Sequence, residues 1–448
     1  MAGGNWSAQN KVRPGVYINF KTAAGAGTAQ GERGTVAIAR ALSWGPSGQA
    51  TAIAAGEDPM EKIGYPIGAP QALFLRELFK GTNLSAGAKQ ILLYRLKGTG
   101  EAAASASLSE GGLTITAKYP GVRGNDLSLR ISASAETEGA FTVETILDGT
   151  IVDSQTAATA DQLTDNGWVL FSGAGPLEAS AGLSLSGGAD GTADPAAWAD
   201  ALTALEPYDF DILAYDGTDA TAREACAAFV KRLAEEEGIY TQLVTSGAKG
   251  ADSRFVINLD SGVVLDDGTK LEPRQAVWWL AGAEAGAKYS QSLTYAAYPG
   301  AADVIPPKTS RQIEEAILAG NLVLSRENGR VRIETDINAL TSYTPDIGRV
   351  YRKNTTMRVC NFLANRIYRE FSQNYIGKVK NDDAGRALLQ AAILNDLRTM
   401  FENGALTQRP SGEDVIVAPG EESDSVVIAV ALALADAVEK IYLTVTVS

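Results

Sequence analysis

Apolar and polar positions alternate with a period of two near both ends of this chain. Val16, Ile18 and Phe20 are interleaved with Tyr17 and Asn19; Ile441, Leu443, Val445 and Val447 are interleaved with Tyr442, Thr444 and Thr446. That period puts the apolar side chains on one side of an extended strand. Pro14, just before the first run, cannot donate to a ladder, which suits a strand start or an edge. Both ends are therefore predicted as apolar strands that need the edge of another chain.

Between the ends the pattern changes character. Residues 22–31 are a Gly/Ala/Thr linker, and 34–97 read as a small α/β unit with strands at 35–39 and 90–96 around a helix at 70–80. Residues 98–190 are rich in Ala, Ser, Thr and Gly. Short strands recur there at 113–119, 127–132, 142–147, 168–172 and 182–186, the signature of a small β-sandwich or barrel inserted between α/β stretches.

Over 195–335 helices (197–205, 221–237, 274–284, 311–319) alternate with strands (212–215, 241–245), and a hairpin turns at Asn328-Gly329. Such alternation predicts a largely parallel sheet flanked by helices. Two long helices follow at 355–374 and 383–403, then a strand at 426–434. The fold class is thus α/β multidomain: an α/β core, an inserted β-sandwich or barrel, an α+β C-terminal domain and extended terminal arms. The predicted segments are 1–31 (arm and linker), 32–97, 98–190, 191–341 and 342–448, with a terminal arm strand at 441–447. A length of 448 residues suits about three domains at roughly 150 residues each.

Composition removes more chemistry than it adds. There is no histidine, so Ser-His-Asp and Cys-His nucleophile systems and histidine-ligated metal sites are excluded within the chain. Cys226 and Cys360 are too few and too isolated for a disulfide framework or a metal cluster, and read as buried reduced thiols. Residues 1–20 contain no apolar stretch of the kind a secretory signal needs. The apolar run 426–435 is too short to span a bilayer.

Charge is segregated. The net of −14 is a balance of segments: +3 over 1–31, −16 over 32–341, +5 over 342–409 and −6 over 413–448. The acidic balance speaks against direct nucleic-acid binding, and the segregation predicts specific partners.

Individual motifs offer little catalytic promise. Asp209, Asp211 and Asp216 lack calcium-loop spacing and read as loop acids beside a strand end, with a cation site as the sharper alternative. Gly25-Ala26-Gly27 with Gly31 misses the dinucleotide spacing, and 246–250 is no phosphate loop. No catalytic, cofactor or metal residues are assigned. The helix around Cys360 is more informative. At 100° per residue, Cys360, Leu363, Ala364, Ile367 and Phe371 share one face, while Arg358, Arg366 and Arg369 fall within about 80° of one another on the other. That arginine face reads either as solvated or as a docking surface for an acidic partner.

Several motifs, in order along the chain, resemble the contractile tail sheath proteins of bacteriophages and phage-tail-like particles. They are Arg13-Pro14-Gly15-Val16-Tyr17-Ile18, Ala117-Lys118-Tyr119-Pro120-Gly121 with Gly124-Asn125-Asp126, Ala281-Gly282-Ala283 with Gln291-Ser292-Leu293-Thr294, Asp336-Ile337-Asn338-Ala339-Leu340-Thr341-Ser342, and Ala437-Val438-Glu439-Lys440-Ile441-Tyr442. Ala339 departs from the Thr expected at the junction. The resemblance implies a subtilisin-like fold for the middle domain, where the missing histidine rules out a protease inference.

It further implies a structural subunit that forms six-subunit rings stacked helically around a tail tube, with baseplate and tail terminator proteins as further partners. The particle would be assembled in a bacterial cytoplasm and become a virion tail or tail-like device. No cofactor or membrane insertion is implied. The arm strands, carrying Val16, Tyr17, Ile18, Phe20, Ile441, Leu443, Val445 and Val447, would join neighbouring subunits' C-terminal domains, while the linkers 22–31 and 417–424 would act as hinges during contraction. The basic late segment is expected to face the tube, led by Arg358, Arg366 and Arg369, with Arg352, Lys353, Lys378 and Lys380 next. Two other classes are weighed: a non-contractile structural tail or surface-layer protein, and a histidine-independent hydrolase.

Overall fold

The computed structural model describes the backbone of residues 2–4 and 15–17, and residues 33–108, 112–440 and 442–445. It divides into two compact units: Met1–Ala37 with Glu77–Ile91 and Asp209–Ser448, and Ile38–Arg76 with Leu92–Tyr208. The chain passes from one to the other four times: within strands Thr35–Arg40 and Gln90–Arg95, within helix Leu73–Lys80, and between Tyr208 and Asp209.

In the second unit, alternation builds a β-sandwich. One antiparallel sheet has the order Thr150–Ala157, Phe141–Leu147, Leu127–Ala133, Ser180–Ser184; the other has Val169–Ser172, Thr114–Ala117, Ser105–Ser107. Register pairs Leu127 with Leu147 and Ile131 with Val143, and the period of two turns these side chains into one core with Ile115 and Val169. Trp44 closes that core, its ring 5.3 Å from that of Trp168. Arg123 is buried against the Gly64 carbonyl (2.8 Å) and Asp126 (2.9 Å), and also pairs with Asp148. Where the chain enters and leaves the sandwich, Thr99 and Thr192 exchange both backbone hydrogen bonds, at 2.9 and 3.1 Å.

The first unit holds the predicted parallel sheet. Asn321–Leu322, Val256–Leu259, Gln242–Ser246 and Ile212–Ala214 lie in that order, each parallel to its neighbour. The helix Pro273–Gly286 starts at a capping box between Glu272 and Gln275 and is buried from Ala276 to Ala285. Gly282 in the Ala-Gly-Ala motif is required by close approach: a Cβ there would sit 1.9 Å from the Leu78 carbonyl oxygen.

Two long helices, Asn354–Asn374 and Asp383–Glu402, pack through Val359, Leu363, Phe371, Leu389, Ile393 and Leu397. A hairpin of Val415–Pro419 and Val426–Val430 completes this core. The architecture is a mixed α/β multidomain fold with a β-sandwich. The proposed hinge at 417–424 is instead half ladder strand and half hairpin turn. The turn is closed by Gly420 N–H to the Ser425 carbonyl (2.9 Å) and tied down by the Asn381 side chain.

Candidate assembly interface

The C-terminal hairpin has open edges. Its register runs Val415↔Val430 to Pro419↔Val426, and among the described residues each strand is laddered on one side only. Val415 is buried and its carbonyl accepts from the Gln390 amide at 2.7 Å, fixing the hairpin to the helix beneath. The next side chain, Ile416, is exposed by alternation and borders an open cleft of about 270 Å³ with Arg386 and Gln390. An edge of this kind has unspent backbone donors and acceptors.

Beyond the hairpin the chain is held at three successive points. Ala431 N–H donates to the Asp414 carbonyl at 2.8 Å, and Thr407 N–H donates to the Ala433 carbonyl at 2.9 Å. Lys353 then pairs with Asp436 and, at 3.1 Å, with Glu439, which also accepts from the Thr294 hydroxyl at 2.9 Å. After that clasp no described residue covers 442–445. They belong to no ladder, and Tyr442, Leu443 and Val445 are 90%, 81% and 72% exposed.

Over 442–445, the described part of the terminal strand predicted at 441–447, the alternation is present without a ladder; Ile441 and Val447 lie outside the described residues. At the other end, Gly15–Tyr17 forms a short strand parallel to Ala2–Gly4, with Val16 opposite Gly3 and Tyr17 opposite Gly4. Ile18, Phe20 and the linker 22–31 also lie outside the described residues.

The basic residues separate into three groups. Arg358, expected on an outward face, is fully buried, and this overturns it as a tube-facing residue. The first two turns of its helix are enclosed on all sides, so the helix has no solvent face until past Ala364. Arg352 and Lys353 are also engaged within the chain. Arg352 donates to the Ile317 carbonyl and, at 3.2 Å, to the Tyr343 hydroxyl, and Lys353 forms the clasp above. Arg366, Arg369, Lys378 and Lys380 are exposed. Arg366 also pairs with the buried Asp396 at 2.7 Å.

Arg358 sits in a cluster that residue patterning did not reveal. Its guanidinium contacts Glu284 and, at 2.6 Å, Asp336, and donates to the Gln291 carbonyl. Asn354 donates to Asp336 (2.8 Å) and Glu284 (3.2 Å), while Leu293 N–H donates to Asp336 at 2.9 Å. Burial, followed by the charge of Asp336, pushes the Glu284 carboxyl up to about 8. Burial also works against the Asp336 carboxylate, but Arg358 and the Leu293 N–H outweigh it and hold Asp336 below its ordinary range. This pairing locks the start of helix Asn354–Asn374 onto helix Pro273–Gly286. The available signal was Glu284 itself, an acid inside an otherwise apolar run.

The remaining candidates are structural. Asp211 accepts the Gly34 and Thr35 N–H groups at 2.8 and 3.0 Å, Asp216 accepts the Trp278 indole at 2.7 Å, and Asp209 is exposed. Among the described residues no group of three or more potential ligands gathers as a metal site. Burial pushes both cysteine thiols up to about 12, far from nucleophilic thiolates. No described helix is long and apolar enough to cross a membrane.

Four family models match the chain in succession: the tail sheath protein Gp18 domain III N-terminal region over 33–96, the phage tail sheath protein beta-sandwich domain over 98–190, the phage tail sheath protein central domain over 191–339 and the phage tail sheath C-terminal domain over 347–448. The chain is 35% identical to the phage-like element PBSX protein XkdK of Bacillus subtilis (strain 168), with both chains fully covered. It superposes on the sheath tail protein of Desulfitobacterium hafniense with a TM-score of 0.82 and 39% identity, covering 96% of this chain and 99% of that one. It shares the fold of the anti-feeding prophage helical sheath in its contracted state (TM-score 0.57, 15% identity, 97% and 99% covered).

Proposed function

The chain belongs to the phage tail sheath family, and on that premise we propose that it is the contractile subunit of a tail sheath built by strand exchange between copies. The observation that carries this reading is the exposed alternating segment 442–445, rooted beside a C-terminal hairpin whose strands are laddered on one side only. Strand addition would satisfy both, with backbone hydrogen bonds along the edge and alternating apolar side chains setting register. A donor arm and a recipient edge are different surfaces, so the contact is heterologous; it closes into rings or propagates as a helix. Stacked six-subunit rings around a tube use both outcomes.

Contraction then follows as rearrangement of rigid bodies about their connecting arms. The Arg358 cluster would keep the C-terminal helices and the central helix together through that motion. The subtilisin-like reading of the middle domain makes it a scaffold rather than a catalyst, and contraction would be driven by inter-subunit packing without a cofactor.

The tube-facing role falls to Arg366, Arg369, Lys378 and Lys380. Exposed pairs of this kind are individually worth about 0–1 kcal/mol and are screened by salt, so many weak contacts grip the tube yet yield on contraction. Baseplate and terminator proteins are further proposed partners in a virion tail or tail-like particle. Negative-stain microscopy of the purified protein tests the reading. Hollow sheath-like tubes are expected from the full chain, and folded monomers without ordered tubes from a chain lacking residues 1–20. Ordered contractile tubes from that truncation would sink the N-terminal arm's role.

A further inference from the structure

The clasp at the root of the C-terminal arm involves residues that neither the arm pattern nor the basic face explained. Lys353 was expected on a tube-facing surface, but its ammonium lies between Asp436 and Glu439. Glu439 is the last residue before the exposed segment with a side-chain partner in the described structure, and it is held from two sides, by Lys353 at 3.1 Å and by the Thr294 hydroxyl at 2.9 Å.

Both holders are themselves fixed. Thr294 Oγ1 accepts the Asp336 N–H at 3.0 Å, and Lys353 is bridged to Ile337 and immediately precedes Asn354, whose amide donates to Asp336 and Glu284. The arm's root is therefore bolted to the most buried charged cluster of the unit. Three residues further on, the chain is fully exposed. Polar anchoring ends and apolar display begins over a very short stretch.

From this juxtaposition we infer that Lys353, Glu439 and Thr294 are positioning residues for strand exchange: they aim the arm so that residues 442–445 leave the body in one direction. Four extended residues reach roughly 13 Å. An arm pivoting freely at residue 431 would sweep a much larger volume, and its effective concentration at a neighbour's edge would fall accordingly. Fixing the pivot at Glu439 leaves only the donated strand to be ordered on binding. This inference rests on the strand-exchange reading above.

The test uses the full chain with a fluorophore on Thr444→Cys, since both native cysteines are buried, and follows assembly separately with unlabelled protein by light scattering and microscopy. Lys353→Glu removes both ion pairs and repels Asp436 and Glu439; it should lower the monomer's probe anisotropy and slow tube formation about five- to tenfold, the scale of two partly exposed ion pairs. The exchange Lys353→Glu with Asp436→Lys and Glu439→Lys reverses both ion pairs and should restore most of both readings, which a general loss of stability would not allow. Glu439→Gln provides a milder variant if Lys353→Glu lowers the melting temperature.

The inference is overturned if the single variants keep wild-type anisotropy, or if the exchange fails to rescue assembly while the body melts normally. If the wild-type chain itself forms no tubes, strand exchange fails as the function, and the anisotropy series alone decides whether the clasp aims the arm.

Discussion

The inserted β-sandwich and the C-terminal hairpin with its arm are written in the same alternating code, yet they end differently. In the sandwich every predicted strand finds a partner within the chain, and Leu127, Leu129, Ile131 and Val143 vanish into one core. At the C-terminal end the hairpin has two strands, and Leu443 and Val445, equally apolar and equally spaced, stand in solvent. Alternation therefore specifies a strand's faces but not whose strand lies beside it. The deciding quantity is whether the chain supplies enough edges to close the sheet.

The sharpest way to break this contrast is to put charge on the arm. Leu443→Asp with Val445→Asp is expected to abolish tube formation while leaving the melting temperature of the monomer within about 1 °C, since exposed sites away from packing move stability little. A large drop in melting temperature would mean that the arm is folded onto its own body. Next comes Arg358→Ala, which leaves two buried carboxyls without their counter-ion and should cost about 3–5 kcal/mol in denaturant unfolding. Leu129→Ala in the sandwich should cost about 2–5 kcal/mol by the cavity it leaves, and its tubes, where the protein stays folded, should still form.

The pH response sharpens the contrast further. Glu284 binds its proton more tightly in the folded chain (about 8) than at its ordinary 4.5. The stability it brings is full below pH 4.5, declines as pH rises, and is gone above about 8. Asp336 acts in the opposite sense, contributing above the ordinary carboxylate range and losing its contribution as pH falls through its lowered value. Glu284→Gln should therefore flatten the decline of stability between pH 5 and 8 seen by chemical denaturation, whereas arm variants should leave that profile unchanged. The smallest effect is expected from Arg369→Glu with Lys380→Glu, both exposed. Folding should be nearly unaffected, with shorter or fewer sheaths on tubes by electron microscopy; normal tube-length sheaths would remove these two residues from the tube contact.

Much of the fold was legible because local rules and tertiary demands agree. Period-two runs at 127–132 and 142–147 became paired strands, and the long helices ended near Asn374 and Glu402 where their pattern ended. The missed strands Val256–Leu259 and Gly262–Leu265 are short and buried almost throughout, so they carry no alternation to read. Arg358 was misplaced for a related reason. A helical wheel sorts residues by angle and assumes one wet face, and the start of this helix has none. The Glu284 and Asp336 partners come from segments 74 and 22 residues away, a distance no local pattern spans.

The stitched doorway of the sandwich, where Thr99 and Thr192 bond to each other, has a consequence for modularity. An insertion whose entrance and exit already touch needs no particular span from its host, so a short glycine turn could bridge the gap its removal leaves. The seam would still need cover, because Trp44, outside the inserted segment, completes the sandwich core and the Gly64 carbonyl holds Arg123; a different cargo at the same doorway, an enzyme or an epitope, would have to shield both. In a helical array such a graft would be copied at every subunit, turning one doorway into a regular lattice of display sites.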